Sequence, residues 1–373
     1  MIFRFSAKNS ADLFFLSLVI ILVIFGLVML ASASSDISRL RFGDSFYYLR
    51  HQILYGLLFG ILGFVFGFFI DLHFLEKLAP FLLILGLIFL ILVFTPLGFK
   101  SGGSERWLNI SSFSFQPAEF LKLAFLTYLS AWLSQKQWRS KNWSQGFLPF
   151  LFLTATFSVL LFLQPATTTA IIILVSSLIT YFTAGAKIKF MAVFVLTFFL
   201  IVSLFVALTP YRLKRISSWL TNVKDQNTDI FGSGYHLNQA LIAIGSGRLF
   251  GVGYGQSTTK INYLPEAIGD SIFAVIAEEL GFVGSVGLIL LFLLFIWRGM
   301  FIAQRAPDYF SRYLTIAFVS LIGFQAFVNI SANIGLIPLT GVPLPFISYG
   351  GTSLAVFLTM SGIILNISKW QKR

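Results

Sequence analysis

"YLPEAIGDSIFAVIAEELGFVGSVGLILLFLLFIWR", residues 263–298, decides the reading of the chain. Its second part, 270–298, is an apolar run long enough to cross a bilayer as a helix, for which about 20 residues suffice. Its first part places four carboxylates, Glu266, Asp270, Glu278 and Glu279, within residues 263–281 of a protein in which only 11% of residues are charged. Glu266 and Asp270 stand at the mouth of the run, and Glu278 and Glu279 stand inside it. An ionisable residue within a span is costly and marks function by default. The stretch therefore predicts a membrane helix and a site together.

Further apolar segments fall near 11–32, 48–70, 77–96, 116–134, 147–163, 166–184, 188–209, 311–334 and 346–367. With 270–298 they predict an all-α integral membrane protein of ten transmembrane helices, one polytopic domain over 1–373. The composition agrees: 57% of the residues are hydrophobic and 45 of the 373 are Phe, where soluble domains run nearer half apolar and a quarter charged. Lys and Arg set the orientation. With both termini in the cytoplasm, the inner segments hold fourteen basic residues and the short outer segments five, as the positive-inside rule requires. The large loop 210–269, between helices 7 and 8, is then extracytoplasmic. The first run ends in Ala31-Ser32-Ala33 like a signal peptide. At about 20 residues it is long for a cleaved apolar core, and it is read as a retained span.

Several function classes fall away. The net charge of +12 sits in short loops between apolar runs, which points to anionic lipids or an anionic substrate and not to nucleic acid. The chain has no Cys, so disulfides, thiolate metal sites and thiol nucleophiles are excluded. His51, His73 and His236 are scattered, which argues against a His-based metal site. There is no phosphate-binding P-loop and no HExxH. "IGSGRLFGVGYG", 244–255, lacks the preceding strand of a dinucleotide fingerprint and reads as a tight re-entrant turn. "YRLKRISSWLTNV", 211–223, spaces Leu213, Ile216, Leu220 and Val223 as one helical face, with Arg212, Lys214 and Arg215 elsewhere and Trp219 suited to the interface; it reads as a helix lying on the outer leaflet.

Two more intramembrane charges lie in "FQPAEFLKLAF", 115–125. Pro117 suits the first helical turn, Glu119 falls near the positive helix N-terminus, and Lys122 can pair with it three residues on. The pair either fixes the helix in the bundle or lines a polar pocket in which Lys122 faces an anion. Asp270 is likewise either a helix cap or a partly desolvated general base at the outer boundary. Glu278 and Glu279 lie about 12 Å deeper. They read as supports that meet a cation or another helix. Arg106, Lys122 and Lys260 are cations reachable from the outer side and suited to a leaving pyrophosphate. The residues alone suggest transfer chemistry on an anionic, membrane-borne substrate.

At these residues the sequence resembles the SEDS family (shape, elongation, division and sporulation), whose branches are FtsW, RodA and SpoVE. The likeness is carried by "GSERWLNI…FSFQPAEFLKLA", by "SGYHLNQALIAIGSGRLFGVGYGQSTTKINYLPEAIGDSIFAVIAEELGFVG" and by "NIGLIPLTGVPLPFISYGGTSL", in family order over nearly the whole chain. The resemblance implies an enzyme of the bacterial cytoplasmic membrane that polymerises peptidoglycan glycan strands from lipid II. Its expected partners are a class B penicillin-binding protein and other divisome or elongasome proteins; a divalent cation, Mg or Mn, is a candidate cofactor. Carried over, Asp270 matches the essential acid and would deprotonate the 4-hydroxyl of the acceptor sugar. Glu119, Lys122 and Arg106 match the family's polar cavity, Lys260 the basic residue before "YLPE", and Ser348, Tyr349 and Gly350 the motif before the last helix; Glu266 falls at the rim. This chain departs at Ala166 and Thr167, where the family has an acid, and at Ala118, Gly269 and Ser271. "YLPEA" and "PFISYGGTSL" lean towards the division branch. Two other functions compete: a lipid II flippase, faintly suggested by "QPA" at both 116–118 and 164–166, and a non-catalytic scaffold for the crosslinking partner.

Overall fold

The computed structural model describes residues 10–101, 104–110, 113–207, 209, 213, 217, 219, 234–261 and 263–371. Each expected apolar segment is a helix: α1 (Leu13–Phe42), α2 (Tyr47–Phe69), α3 (Leu72–Leu92), α4 (Pro117–Gln135), α5 (Trp143–Leu163), α6 (Thr167–Thr183), α7 (Ile188–Ala207), α9 (Ile272–Gln304), α10 (Tyr309–Asn333) and α11 (Gly351–Ser368). A further helix, α8 (Tyr235–Ser246), precedes α9. Seven of these are long and apolar enough to span a bilayer. The chain is a multi-pass membrane protein.

The all-helical expectation misses one element. Between α3 and α4, β1 (Gly98–Ser101), β2 (Ser104–Ile110) and β3 (Phe113–Phe115) form an antiparallel sheet of order β1-β2-β3, with Gly98 opposite Leu108 and Leu108 opposite Phe115. The stretch is rich in aromatic residues that favour strands, and pairing the strands satisfies backbone groups that no helix serves there.

Local chemistry sets the helix ends. Asp12 caps α1 by accepting from Phe15 N at 2.9 Å, and Gly43, at φ 72°, ends it. Pro117 opens α4. Asp308 caps α10 through Ser311 N. α10 and α11 lie innermost, with 83% of each apolar window buried, against 22% for α2 and 28% for α3. α10 packs on α4, α6 and α9; α11 packs on α2. The α2–α11 contact is close because Gly56, Gly60, Gly63 and Gly67 of α2 present no side chain to α11, the small-residue packing usual in membranes.

α9 is broken at Gly281, whose φ of 67° and ψ of −164° are not helical. The break receives the glycine-rich stretch read from sequence as a re-entrant turn. Val252 N and Gly253 N donate to Glu278 O and Glu279 O, while Phe282 N and Val283 N donate to Arg248 O and Leu249 O. The two backbones touch, and a Cβ on Gly251 (φ 80°) would collide with the Glu279 carbonyl. Of the expected surface helix in 211–223, Arg212, Lys214, Arg215, Ile216, Leu220 and Val223 lie outside the described residues. Trp219 donates its indole N–H to Gly335 O at 2.9 Å.

Candidate functional site

Asp270 sits in a tight turn immediately before α9. Gly269 N and Ser271 N both donate to Glu266 O, at 2.9 and 3.2 Å, and Glu266 takes φ 51° to close the turn. Ser271, not Asp270, is the N-cap residue of α9, and it makes no side-chain cap bond; the capping alternative for Asp270 is therefore not the geometry found. Three successive carbonyls of the turn are held from outside it. Tyr349 N donates to Ile268 O at 2.9 Å, Ser348 Oγ to Gly269 O at 2.6 Å, and both Asn329 Nδ2 and Asn333 Nδ2 to Asp270 O at 2.8 Å. The carboxylate lies beside Gly341, in the segment between α10 and α11. Ser271 Oγ is 2.6 Å from His236 Nε2 of α8. Glu266 is exposed at the edge.

Lys122 and Glu119 form the buried pair that their spacing predicts, with Nζ 2.6 Å from Glu119 Oε1. Lys122 also donates to Gln325 Oε1 at 2.8 Å and lies 5.7 Å from the centre of the Phe357 ring. Glu119 Oε2 is buried without a hydrogen-bond partner. Gln325 passes the connection on, since its Nε2 donates to Pro343 O at 2.9 Å. The sequence reading missed Gln325, Asn329 and Asn333. Their signal was present: amides at i, i+4 and i+8 in "FQAFVNISAN", 324–333, lie on one helix face.

The deeper carboxylates turn towards the loop. Glu278 accepts from Ser257 Oγ (2.5 Å), Thr258 N (3.1 Å), Thr259 N (3.4 Å) and the Thr259 hydroxyl. Glu279 pairs with Lys260 Nζ at 2.9 Å and accepts from Ser32 Oγ of α1 at 2.6 Å. Lys260 is buried, donating also to Gly255 O at 3.0 Å and Ser32 Oγ at 3.1 Å. The two adjacent acids thus bind one strap, 255–260, onto α9 and α1. They account for the burial of Lys260 without any substrate.

Arg106 of β2 donates Nε to Gln164 O at 3.2 Å and a terminal nitrogen to Pro165 O, which ties the sheet to the start of α6. The departing residues Ala166 and Thr167 lie at that start, and Thr168 Oγ1 donates to Thr340 O at 3.2 Å. Tyr349 OH is 2.8 Å from His51 Nδ1 and packs edge-on to Tyr48. Burial, with Tyr48 and Tyr47 adding to it, pushes the Tyr349 phenol well above its usual pKa, so it stays a neutral hydroxyl at ordinary pH. Pro117 stands at the first turn of α4, beside Gln116 N, which donates to Thr352 Oγ1 at 3.3 Å. No group of three His, Asp or Glu side chains able to cage a metal ion lies among the described residues. The expected divalent cation therefore has no protein cage there, and no step is assigned to it.

The FtsW/RodA/SpoVE family model, described as "Cell cycle protein", matches residues 12–373. Stage V sporulation protein E of Bacillus subtilis (strain 168) is 37% identical over 98% of this chain and 99% of its own length. The probable peptidoglycan glycosyltransferase FtsW of Geobacter sp. (strain M18) is 36% identical over 96% of both chains. Among solved structures, a chain from "Structural coordination of polymerization and crosslinking by a peptidoglycan synthase complex" superposes with TM-score 0.79 at 28% identity, covering 97% of this chain and 99% of that one. The rod shape determining protein RodA of Thermus thermophilus follows at TM-score 0.69 and 28% identity, covering 97% and 98%. With the family model spanning nearly its whole length, this chain belongs to the FtsW/RodA/SpoVE family.

Proposed function

We propose that this protein is a peptidoglycan glycosyltransferase that polymerises lipid II at the outer face of the bacterial cytoplasmic membrane, through ten spans with both termini inside. Asp270 is the general base. It takes the proton of the acceptor sugar's 4-hydroxyl; that oxygen bonds to the anomeric carbon of the donor, and the bond from that carbon to the lipid pyrophosphate breaks with inversion. Lys122 stabilises the departing pyrophosphate, and Arg106, Tyr349 and Glu266 contribute to binding the substrate. Glu278, Glu279 and Lys260 hold the large loop in place. The observation that carries the reading is the Asp270 turn, whose carbonyls are committed to other residues while its carboxylate is held at the mouth of an apolar helix. A base needs this placement, within reach of one proton. The relatives named as probable glycosyltransferases and the structural likeness to a chain of a polymerising and crosslinking complex support it, and also support a class B penicillin-binding protein as partner. FtsW and SpoVE relatives match at similar identity; we take the division branch from the "YLPEA" and "PFISYGGTSL" motifs.

The test is to purify the chain with its crosslinking partner, supply lipid II in detergent and measure glycan polymer. Asp270→Asn keeps the shape and removes the base, so polymer should vanish while thermal stability holds. Equal polymer from the variant refutes the assignment. No polymer from the wild type, with lipid II crossing liposome membranes, establishes transport instead. Polymer from neither, with the partner's crosslinking still dependent on this chain, leaves the scaffold.

A further inference from the structure

Resting on the glycosyltransferase reading, we infer that Gln325, Asn329 and Asn333 of α10 form a positioning ladder that fixes the general base relative to the cation receiving the leaving group. The three amides stand at successive i+4 positions in a helix whose apolar window is 83% buried. The lower rung, Gln325, accepts from Lys122 Nζ at 2.8 Å. The upper rungs, Asn329 and Asn333, each donate to Asp270 O at 2.8 Å. The same residues grip the segment opposite the carboxylate: Asn329 Nδ2 reaches Val342 O at 2.8 Å, and Gln325 Nε2 reaches Pro343 O at 2.9 Å.

Three features separate this arrangement from ordinary burial of polar groups. First, one end of the ladder accepts from the Lys122 ammonium and the other holds the backbone carbonyl of Asp270, the residue that carries the proposed base. Second, Asn333 is oriented wholly as a donor: its Nδ2 serves Asp270 O and Asn329 O while its buried Oδ1 has no hydrogen-bond partner. Third, four to eight residues of helix separate Gln325 from the two amides that hold Asp270 O, about 6–12 Å along the axis. That is the order of length of a base, an attacked sugar carbon and a pyrophosphate laid in line. A rigid helix is a better ruler for that distance than the loops it touches.

The test is steady-state polymerisation by the full chain with its crosslinking partner, with kcat and KM for lipid II resolved, alongside lipid II binding and thermal melting. Asn333→Ala, and Asn333→Asp, which keeps the shape but removes the donor, should lower kcat by about tenfold or more, as small misplacements of reacting groups do. KM and lipid II affinity should stay within about twofold, because the binding groups are untouched. Asn329→Ala combined with Asn333→Ala should lower kcat further. Unchanged kcat in the folded Asn333→Asp variant overturns the inference, as does a loss confined to KM. Absence of polymer from the wild type removes the glycosyltransferase reading and this inference with it, whereas equal polymer from wild type and variants overturns the inference alone.

Discussion

Replacing Lys260 separates two roles that its sequence position allows, a cation for the substrate and an anchor for the loop. In the structure its ammonium lies 2.9 Å from Glu279 Oε1, with both side chains within 2% of full burial. At an effective dielectric of about 20 that attraction is of order 6 kcal/mol before desolvation is subtracted. Lys260→Met keeps the stem and removes the charge. Among the described residues Glu279 then retains the Ser32 hydroxyl, at 2.6 Å, and a buried carboxylate without its cation costs about 3–5 kcal/mol. Glu279→Gln leaves the ammonium with Ser32 Oγ and Gly255 O and costs a similar amount. The double variant carries no unpaired charge, and replacing both members of a buried pair is close to neutral. Its coupling, the double loss less the two single losses, should therefore be about 6–10 kcal/mol in magnitude, well above the roughly 0.5–3 kcal/mol usual for contacting residues. Denaturant unfolding in mixed micelles measures the stabilities, and glycan polymer per folded molecule measures activity. The anchor role requires large single losses and recovery of both quantities in the double variant. If Lys260→Met melts like the wild type, or if the double variant regains stability but not activity, Lys260 serves the substrate and the reasoning here fails.

The opposite pattern is expected at the other buried pair. Lys122→Met leaves Glu119 without its cation and should cost about 3–5 kcal/mol, while Lys122→Met with Glu119→Gln should restore the melting behaviour but not polymerisation; polymer at the wild-type rate would assign Lys122 to packing alone. Gly251→Ala places a Cβ against the Glu279 carbonyl at φ 80° and should destabilise by more than the ~1–2 kcal/mol of left-handed strain alone, read as early protease cleavage within 244–260; unchanged cleavage would mean that the arm does not need its close backbone contact.

The ten apolar runs were legible because a bilayer imposes length and apolarity on every spanning helix, and each of the ten is helical in the structure. The sheet at 98–115 was not, since three short strands leave no period strong enough to read beside such runs. Lys122 and Glu119 are three residues apart, so their pairing follows from helix geometry. Lys260 and Glu279 are nineteen apart, and their third partner, Ser32, is 228 residues from Lys260; no local pattern announces such a meeting, and a lone basic residue beside an acidic stretch is naturally assigned to the substrate.

The amides of α10 show what makes a positioning group hard to see. A carboxylate in a span announces itself by the cost of its charge, so Asp270, Glu278 and Glu279 drew attention at once. Gln325, Asn329 and Asn333 cost less to bury and read as incidental polar residues in an apolar helix. Yet a charge at the mouth of a helix becomes a base only when its distance from the leaving group is fixed, and that distance is a property of the helix between them. Lys122 is held through Gln325 and Asp270 through Asn329 and Asn333. A change at either end of the 325–333 stripe is therefore expected to shift one group relative to the other without replacing Lys122 or Asp270. In a polar stripe with i+4 spacing, the informative question is which charged groups its two ends reach.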